Sequence, residues 1–244
     1  MISVKDLHVS LARKMILNNI SFQLIEGDNL VILGRSGSGK TVLIKTLLGI
    51  YPPDAGTINV DGYDLYSCSQ TDFENIKRSF AMVFQHAALL DSFSVFQNVA
   101  LPLYERGCMS EAAIETKVNY CLSMVGLEYT RNLYPSQLSG GMKKSIGIAR
   151  ALVYDPKYVI FDEPVSGLDP ITAAETVYYM KEIMDHSDTT FITITHDIST
   201  IPHLGRFVLF IDKGVPLFFG QVEDIYNSTN ETIQIGRASC RERV

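Results

Sequence analysis

The chain is poor in several features, each of which a particular class of protein requires. It has no apolar stretch near the ~18–20 residues that cross a bilayer, and residues 1–6 lack the basic and apolar regions of a signal peptide. We therefore expect a cytoplasmic protein. The net charge is −6 and no Lys/Arg cluster is present, which argues against a surface that follows nucleic-acid phosphates. We expect no nucleic-acid partner.

Cysteine is scarce as well. The four residues Cys68, Cys108, Cys121 and Cys240 show no CxxC spacing. They are most simply free thiols in a reducing compartment. The 244 residues are enough to bury a full α/β core, so one large domain, or one domain with a lobe, is the expected organisation.

One glycine-rich segment lies between a predicted strand and a predicted helix. The apolar run at 29–33 precedes it and the helix-prone run at 42–48 follows it, which is the context that a P-loop requires. Backbone N–H groups of such a loop can surround a triphosphate, while Lys40 reaches its β- and γ-phosphates and the Thr41 hydroxyl ligates Mg²⁺. A glycine-rich turn with an unrelated lysine is the alternative. The predicted phosphate-binding residues are Gly34, Arg35, Ser36, Gly37, Ser38, Gly39, Lys40 and Thr41.

A second anion site is predicted at the start of the amphipathic run 143–153. Ser139 is a suitable N-cap, and Gly140 and Gly141 leave bare N–H groups at the helix start. These two glycines have no evident structural necessity of their own. An ordinary capped helix is the alternative.

The apolar run at 158–161 predicts a buried strand that ends in two carboxylates, Asp162 and Glu163. Carboxylates at the carboxyl end of a parallel strand face the ligand crevice. Asp162 can then hold Mg²⁺, and Glu163 can orient or deprotonate the attacking water. Two solvated carboxylates at a strand end are the alternative.

Turn residues and periodicity outline the remaining elements. Strands are predicted within 2–33, at 56–62, at 190–195 and at 207–211, and helices at 110–124, capped by Ser110, and from the Asp169–Pro170 pair through 184.

With these residues in this order, the chain resembles the nucleotide-binding domain of ABC ATPases over roughly residues 1–225. Residues 34–41 match Walker A, Gln85 the Q-loop, residues 138–142 the signature, Asp162 and Glu163 the end of Walker B, Asp169 the D-loop and His196 the switch histidine. The resemblance implies ATP and Mg²⁺ as cofactors. It further implies catalytic roles for Glu163, His196 and Gln85, metal ligation by Thr41, Gln85 and Asp162, and nucleotide contacts from Ser139, Gly140, Gly141 and Asp169.

The implied fold is α/β: a P-loop NTPase (RecA-like) core with an antiparallel β subdomain and an inserted α-helical lobe. We place the lobe at about 87–150, within a nucleotide-binding domain of residues 1–234. Translated backwards, residues 235–244 give a common sequencing-adapter sequence. We therefore interpret them as a non-native tail, against the alternative of a natural basic tail.

Two segments, 138–144 and 87–103, resemble the ATPase of Mla-type phospholipid-trafficking systems. This implies ATP hydrolysis coupled to phospholipid movement, a head-to-tail ATP-dependent homodimer, an integral membrane permease, lipid-binding accessory proteins, and a peripheral position on the cytoplasmic face of the inner membrane. The Gln85 region and the apolar segment after it, including Leu89, Leu90 and Phe93, would carry the movement to the permease. For each of these apolar residues the core of the lobe is the alternative. An ABC importer or exporter for another solute is the alternative, followed by a non-transport ABC ATPase acting on DNA.

Overall fold

A computed structural model describes residues 1–107, 109–225 and 227. The chain divides into two compact units: Met1–Phe80 together with the described residues from Thr190 onward, and Ala81–Thr189. The second unit extends beyond the helical lobe predicted at 87–150 on both sides. The tail predicted at 235–244 lies outside the described residues, as do Cys108 and Cys240.

The first unit contains two groups of strands. Its strands are β1 (Ile2–Leu11), β2 (Lys14–Leu24), β3 (Asn29–Leu33), β4 (Ala55–Val60), β5 (Tyr63–Asp64), β8 (Thr190–Thr195), β9 (Phe207–Asp212) and β10 (Val215–Gln221). One sheet has the order β2-β1-β4-β5, with antiparallel pairing throughout. Ile2, Val4, Leu7 and Val9 of β1 are buried, because alternate residues of a strand point to the same face. This sheet is the predicted antiparallel β subdomain.

The other strands of the first unit follow the order β10-β9-β3-β8. β3 is parallel to both neighbours, with Ile32 opposite Ile194 on one side and Leu209 on the other. Leu30 to Leu33 are all buried, as expected for a parallel strand that is covered on both faces. The carboxyl end of β3 leads directly into the glycine-rich loop.

The helices of the first unit are α1 (Lys40–Leu47), α2 (Gln70–Arg78), α7 (Ile201–Leu204) and α8 (Val222–Ile225), with a 3-10 turn at Ile198–Thr200. Sequence patterns did not predict α2, because the helix is polar over most of its length and Ile76 is its only buried residue. Its local signal is the N-cap Ser69, which accepts a hydrogen bond from the Asp72 N–H.

The second unit pairs two strands and carries four helices. It contains β6 (Phe80–Val83), at its boundary with the first unit, β7 (Tyr158–Asp162), α3 (Val95–Arg106), α4 (Glu111–Met124), α5 (Gly140–Leu152) and α6 (Pro170–Asp185), with 3-10 turns at Glu128–Thr130 and Pro135–Gln137. β6 and β7 are neighbours, and α5 packs against α3, α4 and α6. α5 begins at Gly140, directly after the predicted N-cap Ser139. None of the helices in the described part of the chain combines the length and apolarity that crossing a membrane requires.

One buried side chain fixes the segment between the Gln85 region and α3. Asn98 is 0% exposed. Its Oδ1 accepts from the Leu90 N–H at 2.7 Å, and its Nδ2 donates to the carbonyl oxygens of Leu90, Phe93 and Ser94 at 3.0–3.1 Å. A single amide thus satisfies four backbone groups of a segment that has no regular structure.

We expect Asn98→Ala to lower the free energy of unfolding by about 2 kcal/mol, because it removes the buried amide that binds part-buried backbone groups such as the Leu90 N–H and the Phe93 carbonyl. Urea denaturation followed by circular dichroism measures the change. The matched control is Asn132→Ala at an exposed position, which should stay within about 0.5 kcal/mol of wild type. Equal midpoints for the two variants would show that water replaces the amide without cost.

Candidate nucleotide-binding site

The glycine-rich loop joins β3 to α1 in a conformation that its sequence permits. Gly39 has φ 107°, and a Cβ added there would lie 2.7 Å from Leu17 Cδ2, so another residue would be strained at this position. Lys40 follows as the first residue of α1 and is 7% exposed. Its Nζ donates to the carbonyl oxygens of Gly34 at 2.5 Å and Arg35 at 3.1 Å. The ammonium group therefore lies against the loop that a phosphate would enter.

Two hydroxyl groups of the loop have the character that a nucleotide site requires. Ser38 Oγ is buried and has no hydrogen-bond partner among the described residues. A buried hydroxyl of this kind calls for an explanation, and donation to a phosphate oxygen provides one. Thr41 is exposed in the first turn of α1, where its hydroxyl is accessible to a metal ion. The residues present therefore fit a phosphate group accompanied by Mg²⁺.

The signature segment begins α5. Ser139 caps the helix, since its Oγ accepts from the Met142 N–H at 3.2 Å. A Cβ added to Gly140 would meet nothing within 4 Å, so this side of the helix start is open. A Cβ on Gly141 would lie 2.2 Å from Thr172 Cγ2. The prediction that neither glycine has a structural need is wrong for Gly141, which lets α5 approach α6.

Two carboxylates lie at the end of β7. Asp162 is its last residue and Glu163 follows; both are half-buried. Glu163 has φ 50°, a left-handed conformation that non-glycine residues adopt rarely and that recurs at functional sites. The Ser166 N–H donates to the Glu163 carbonyl at 3.2 Å, which closes a tight turn after the strand.

Gln85 and Asp169 both make hydrogen bonds within the second unit. Gln85 Nε2 donates to Ser166 Oγ at 3.3 Å. Asp169 caps α6, where its Oδ1 accepts from the Ile171 and Thr172 N–H groups. Hydrogen bonds from the Thr172 hydroxyl and backbone lower the pKa of the exposed Asp169 carboxyl. The carboxylate is therefore ionised at neutral pH.

Two cations on α5 were missed by the sequence analysis. Lys144 is 8% exposed, and its Nζ donates to the Ser166 carbonyl at 2.5 Å. Arg150 donates to the Ala87 and Ala88 carbonyls at 2.6 and 2.8 Å. Burial lowers the pKa of Arg150. Helical spacing was the available signal for Lys144, because the buried Ile148 lies one turn further along the same face.

His196 follows the last residue of β8 and is exposed. The Thr195 hydroxyl, which accepts from the Asp197 N–H at 3.0 Å, shapes the turn there. Within the first unit, residues 34–41 and His196 thus follow the ends of neighbouring parallel strands, β3 and β8. Gln85, Ser139 to Gly141, Asp162, Glu163 and Asp169 belong to the second unit. In the described ranges, no three His, Cys, Asp or Glu side chains are grouped as a metal site.

A parallel β-strand, a glycine-rich loop and a helix that starts with a buried lysine define a P-loop nucleotide-binding protein. Comparison of the sequence with known families gives a narrower class. Residues 17–166 match the family described as ABC transporter, and the chain belongs to that family.

Two curated relatives carry the name methionine import ATP-binding protein MetN. The protein from Haemophilus ducreyi is 37% identical over 233 residues, which are 96% of this chain and 67% of the relative. The protein from Rhizobium meliloti is 39% identical over 217 residues, 88% of this chain and 60% of the relative. The chain thus spans about three fifths to two thirds of the length of these relatives.

Solved structures with the same fold are also ATP-binding cassettes. The chain resembles cbiO1 from Clostridium perfringens, part of the ABC transporter complex cbiONQ, with a TM-score of 0.86 and 27% identity over 98% of both chains. It resembles dimeric MJ0796 in a post-hydrolysis state bound to ADP and Pi with a TM-score of 0.80 and 27% identity, over 91% of this chain and 99% of the other.

These findings confirm the predicted fold class and the predicted enzyme class, an ABC-family ATPase. They do not support the assignment to Mla-type phospholipid trafficking, since the relatives above are named methionine importers. Lipid-binding accessory proteins lose their support for the same reason. The alternative, an ABC transporter for another solute, agrees better with these names.

Proposed function

We propose that this chain is the ATP-hydrolysing subunit of an ABC importer for a small solute, with methionine as the first candidate. The observation that carries the proposal is the 37–39% identity to methionine import ATP-binding proteins. Because the chain spans only part of the length of these relatives, the solute is part of the proposal.

ATP binding is assigned to the loop of the first unit. The N–H groups of residues 34–41 and the start of α1 receive the phosphates, and the Ser38 hydroxyl donates to one of their oxygens. Lys40 neutralises the β- and γ-phosphates. Mg²⁺, when bound, supplies further positive charge to the phosphate oxygens. Thr41, Gln85 and Asp162 are the residues that would hold it.

Hydrolysis is assigned to Glu163, Gln85 and His196. Glu163 accepts a proton from the attacking water or orients it, and the turn that follows keeps the carboxylate at the end of β7. Gln85, whose Nε2 donates to Ser166 Oγ, helps to position the water and the metal. His196 donates to the γ-phosphate. Phosphate binding by residues 34–41 and activation of water by Glu163 therefore depend on different residues.

We further propose that each site is completed by a second copy of the chain. Ser139, Gly140 and Gly141 present a helix start to the γ-phosphate bound by the partner, and Asp169 borders the same junction. The exposed Ser139 and the open side of Gly140 support this role, as does the dimer reported for MJ0796. Hydrolysis removes the phosphate that joins the two copies, so the dimer opens.

A membrane permease is the proposed second partner, with the chain attached to its cytoplasmic face. Phe84 and Leu90 flank the Gln85 segment and are 47% and 43% exposed, whereas Leu89 and Phe93 are half-buried. Exposed apolar side chains beside a residue that contacts the nucleotide can transmit opening and closing to a partner. Arg150 and Asn98 hold this segment in one conformation.

Loss of the gene should reduce ATP-dependent uptake of labelled methionine by the source cells, and the wild-type chain should restore it. The Glu163→Gln chain, expressed at the same level, should fail to restore uptake because it binds ATP without turning it over. Uptake that is unchanged by deletion would contradict the methionine assignment.

A second candidate function is phospholipid movement, and the deletion strain distinguishes it from methionine import. Its only support is the resemblance of residues 138–144 and 87–103 to Mla-type ATPases. Reconstituted with its permease, the chain would then transfer labelled phospholipid between membrane and acceptor, and deletion would leave methionine uptake unchanged.

A further inference from the structure

A buried lysine of the signature helix contacts the turn that carries the proposed general base. Lys144 lies on α5, five residues after Ser139. Only 8% of the residue is exposed. Burying an ammonium group is costly unless hydrogen bonds and opposite charge compensate. The Ser166 carbonyl provides the hydrogen bond, at 2.5 Å from Nζ.

Ser166 connects this lysine to two residues of the proposed catalytic apparatus. Its N–H donates to the Glu163 carbonyl at 3.2 Å, and its Oγ accepts from Gln85 Nε2 at 3.3 Å. The carbonyl, the hydroxyl and the N–H of one residue therefore bind Lys144, Gln85 and Glu163, respectively. A displacement of this turn would move both residues that are expected to face the attacking water.

The charge of Lys144 also acts on this turn. Burial lowers the pKa of the lysine, and the negative charge of Glu163 opposes that shift. Glu163 has a left-handed backbone, φ 50°, and such a conformation persists only where its surroundings hold it in place.

We propose that Lys144 is a positioning residue for ATP hydrolysis, which fixes the Glu163–Ser166 turn relative to the signature helix α5. The assignment rests on the proposed function in that Glu163 is taken as the general base. Since Ser139 and Gly140 lie on the same helix, the contact of the signature with a partner's γ-phosphate is linked mechanically to the placement of the base. Lys144 needs no contact with nucleotide for this role.

The test compares Lys144→Met with Lys143→Met in the full chain. Both changes remove an ammonium group and keep an unbranched apolar side chain, but Lys143 is the half-buried neighbour that donates no hydrogen bond to the turn. Amide hydrogen exchange, measured without nucleotide, reports the local stability of the Glu163–Ser166 turn directly. In Lys144→Met the Ser166 and Leu168 amides, which bond to Glu163 and Val165, should exchange roughly tenfold faster or more. In Lys143→Met they should not change.

Steady-state ATP hydrolysis gives the second readout. Lys144→Met should lower kcat by about tenfold or more, because misplacing a catalytic group by about 1 Å can cost 10²-fold, while KM stays within about twofold. Lys144→Arg keeps a charged donor, and its kcat should lie closer to wild type than to Lys144→Met. If the methionine variant does not fold, Lys144→Gln is measured in the same two ways.

Three outcomes separate the alternatives. If Lys144→Met matches Lys143→Met in exchange and kcat, the positioning role is wrong and the proposed function stands. If exchange rises throughout the chain and kcat and KM both deteriorate, Lys144 serves stability alone. If wild type neither binds nor hydrolyses ATP, the proposed function fails and this assignment fails with it.

Discussion

Glu163→Gln is expected to bind ATP with near-native affinity and to hydrolyse it at least about 100-fold more slowly, since positioned acid–base catalysis contributes roughly 10²–10⁴-fold. The amide keeps the size of the carboxylate but cannot accept the proton of the attacking water. The residues proposed to bind phosphate lie elsewhere in the chain: Lys40 and the 34–41 loop belong to the first unit and Glu163 to the second. Binding and chemistry should therefore separate.

The same substitution should make an ATP-bound dimer accumulate, because the γ-phosphate that joins the copies is no longer removed. Phosphate release measures turnover, and light scattering with and without ATP measures the dimer. Glu175→Gln is the matched control: it changes the same group at an exposed position of α6 and should leave both measurements at wild-type values. Turnover within a few-fold of wild type in Glu163→Gln would remove Glu163 from the role of base.

The parts of the fold that apolar patterning dictates could be predicted from the sequence. The strand at 158–161, the strand at 190–195 and the cap at Asp169 all occur where the patterns place them. The strand at 158–161 is continuously apolar and buried, and the strand at 190–195 is a buried run of β-branched and aromatic residues. The Asp169 side chain binds free N–H groups at a helix start. These elements carry the candidate site, which is why its residues could be named in advance.

Elements and contacts without such a pattern could not be predicted. α2 is polar over most of its length, and Gly141 is required by Thr172, a residue far along the chain. Helical spacing places Lys144 on the buried face of α5, but its hydrogen-bond partner is a backbone carbonyl, which no residue type reveals. The transported solute could not be predicted from the sequence either, for a different reason. In the proposed function a permease, and not this chain, contacts the solute, so short resemblances at 138–144 and 87–103 were a poor basis for choosing phospholipid.

Ser139→Arg should leave ATP binding to a single copy unchanged and lower turnover at least about 100-fold. The exposed Ser139 begins the helix that the proposal directs at the partner's γ-phosphate. Arginine removes the cap and fills the approach with a long cation, so the closed dimer should not form. Losing one set of preorganised donors at a reacting phosphate typically costs 10²–10³-fold.

The domain should remain folded in this variant, because a lost N-cap costs only about 1 kcal/mol and α5 is held by buried residues such as Ile146 and Ile148. Ser136→Arg is the matched control: it places the same side chain at an exposed position three residues earlier and should keep both dimerisation and turnover.

The decisive measurement combines the Glu163→Gln and Ser139→Arg predictions. With ATP, Glu163→Gln should be dimeric and Ser139→Arg/Glu163→Gln monomeric, although both bind nucleotide equally. A dimer in the double variant, or a parallel loss of binding and turnover in Ser139→Arg alone, would contradict a site completed by the partner, because the serine would then act within its own chain.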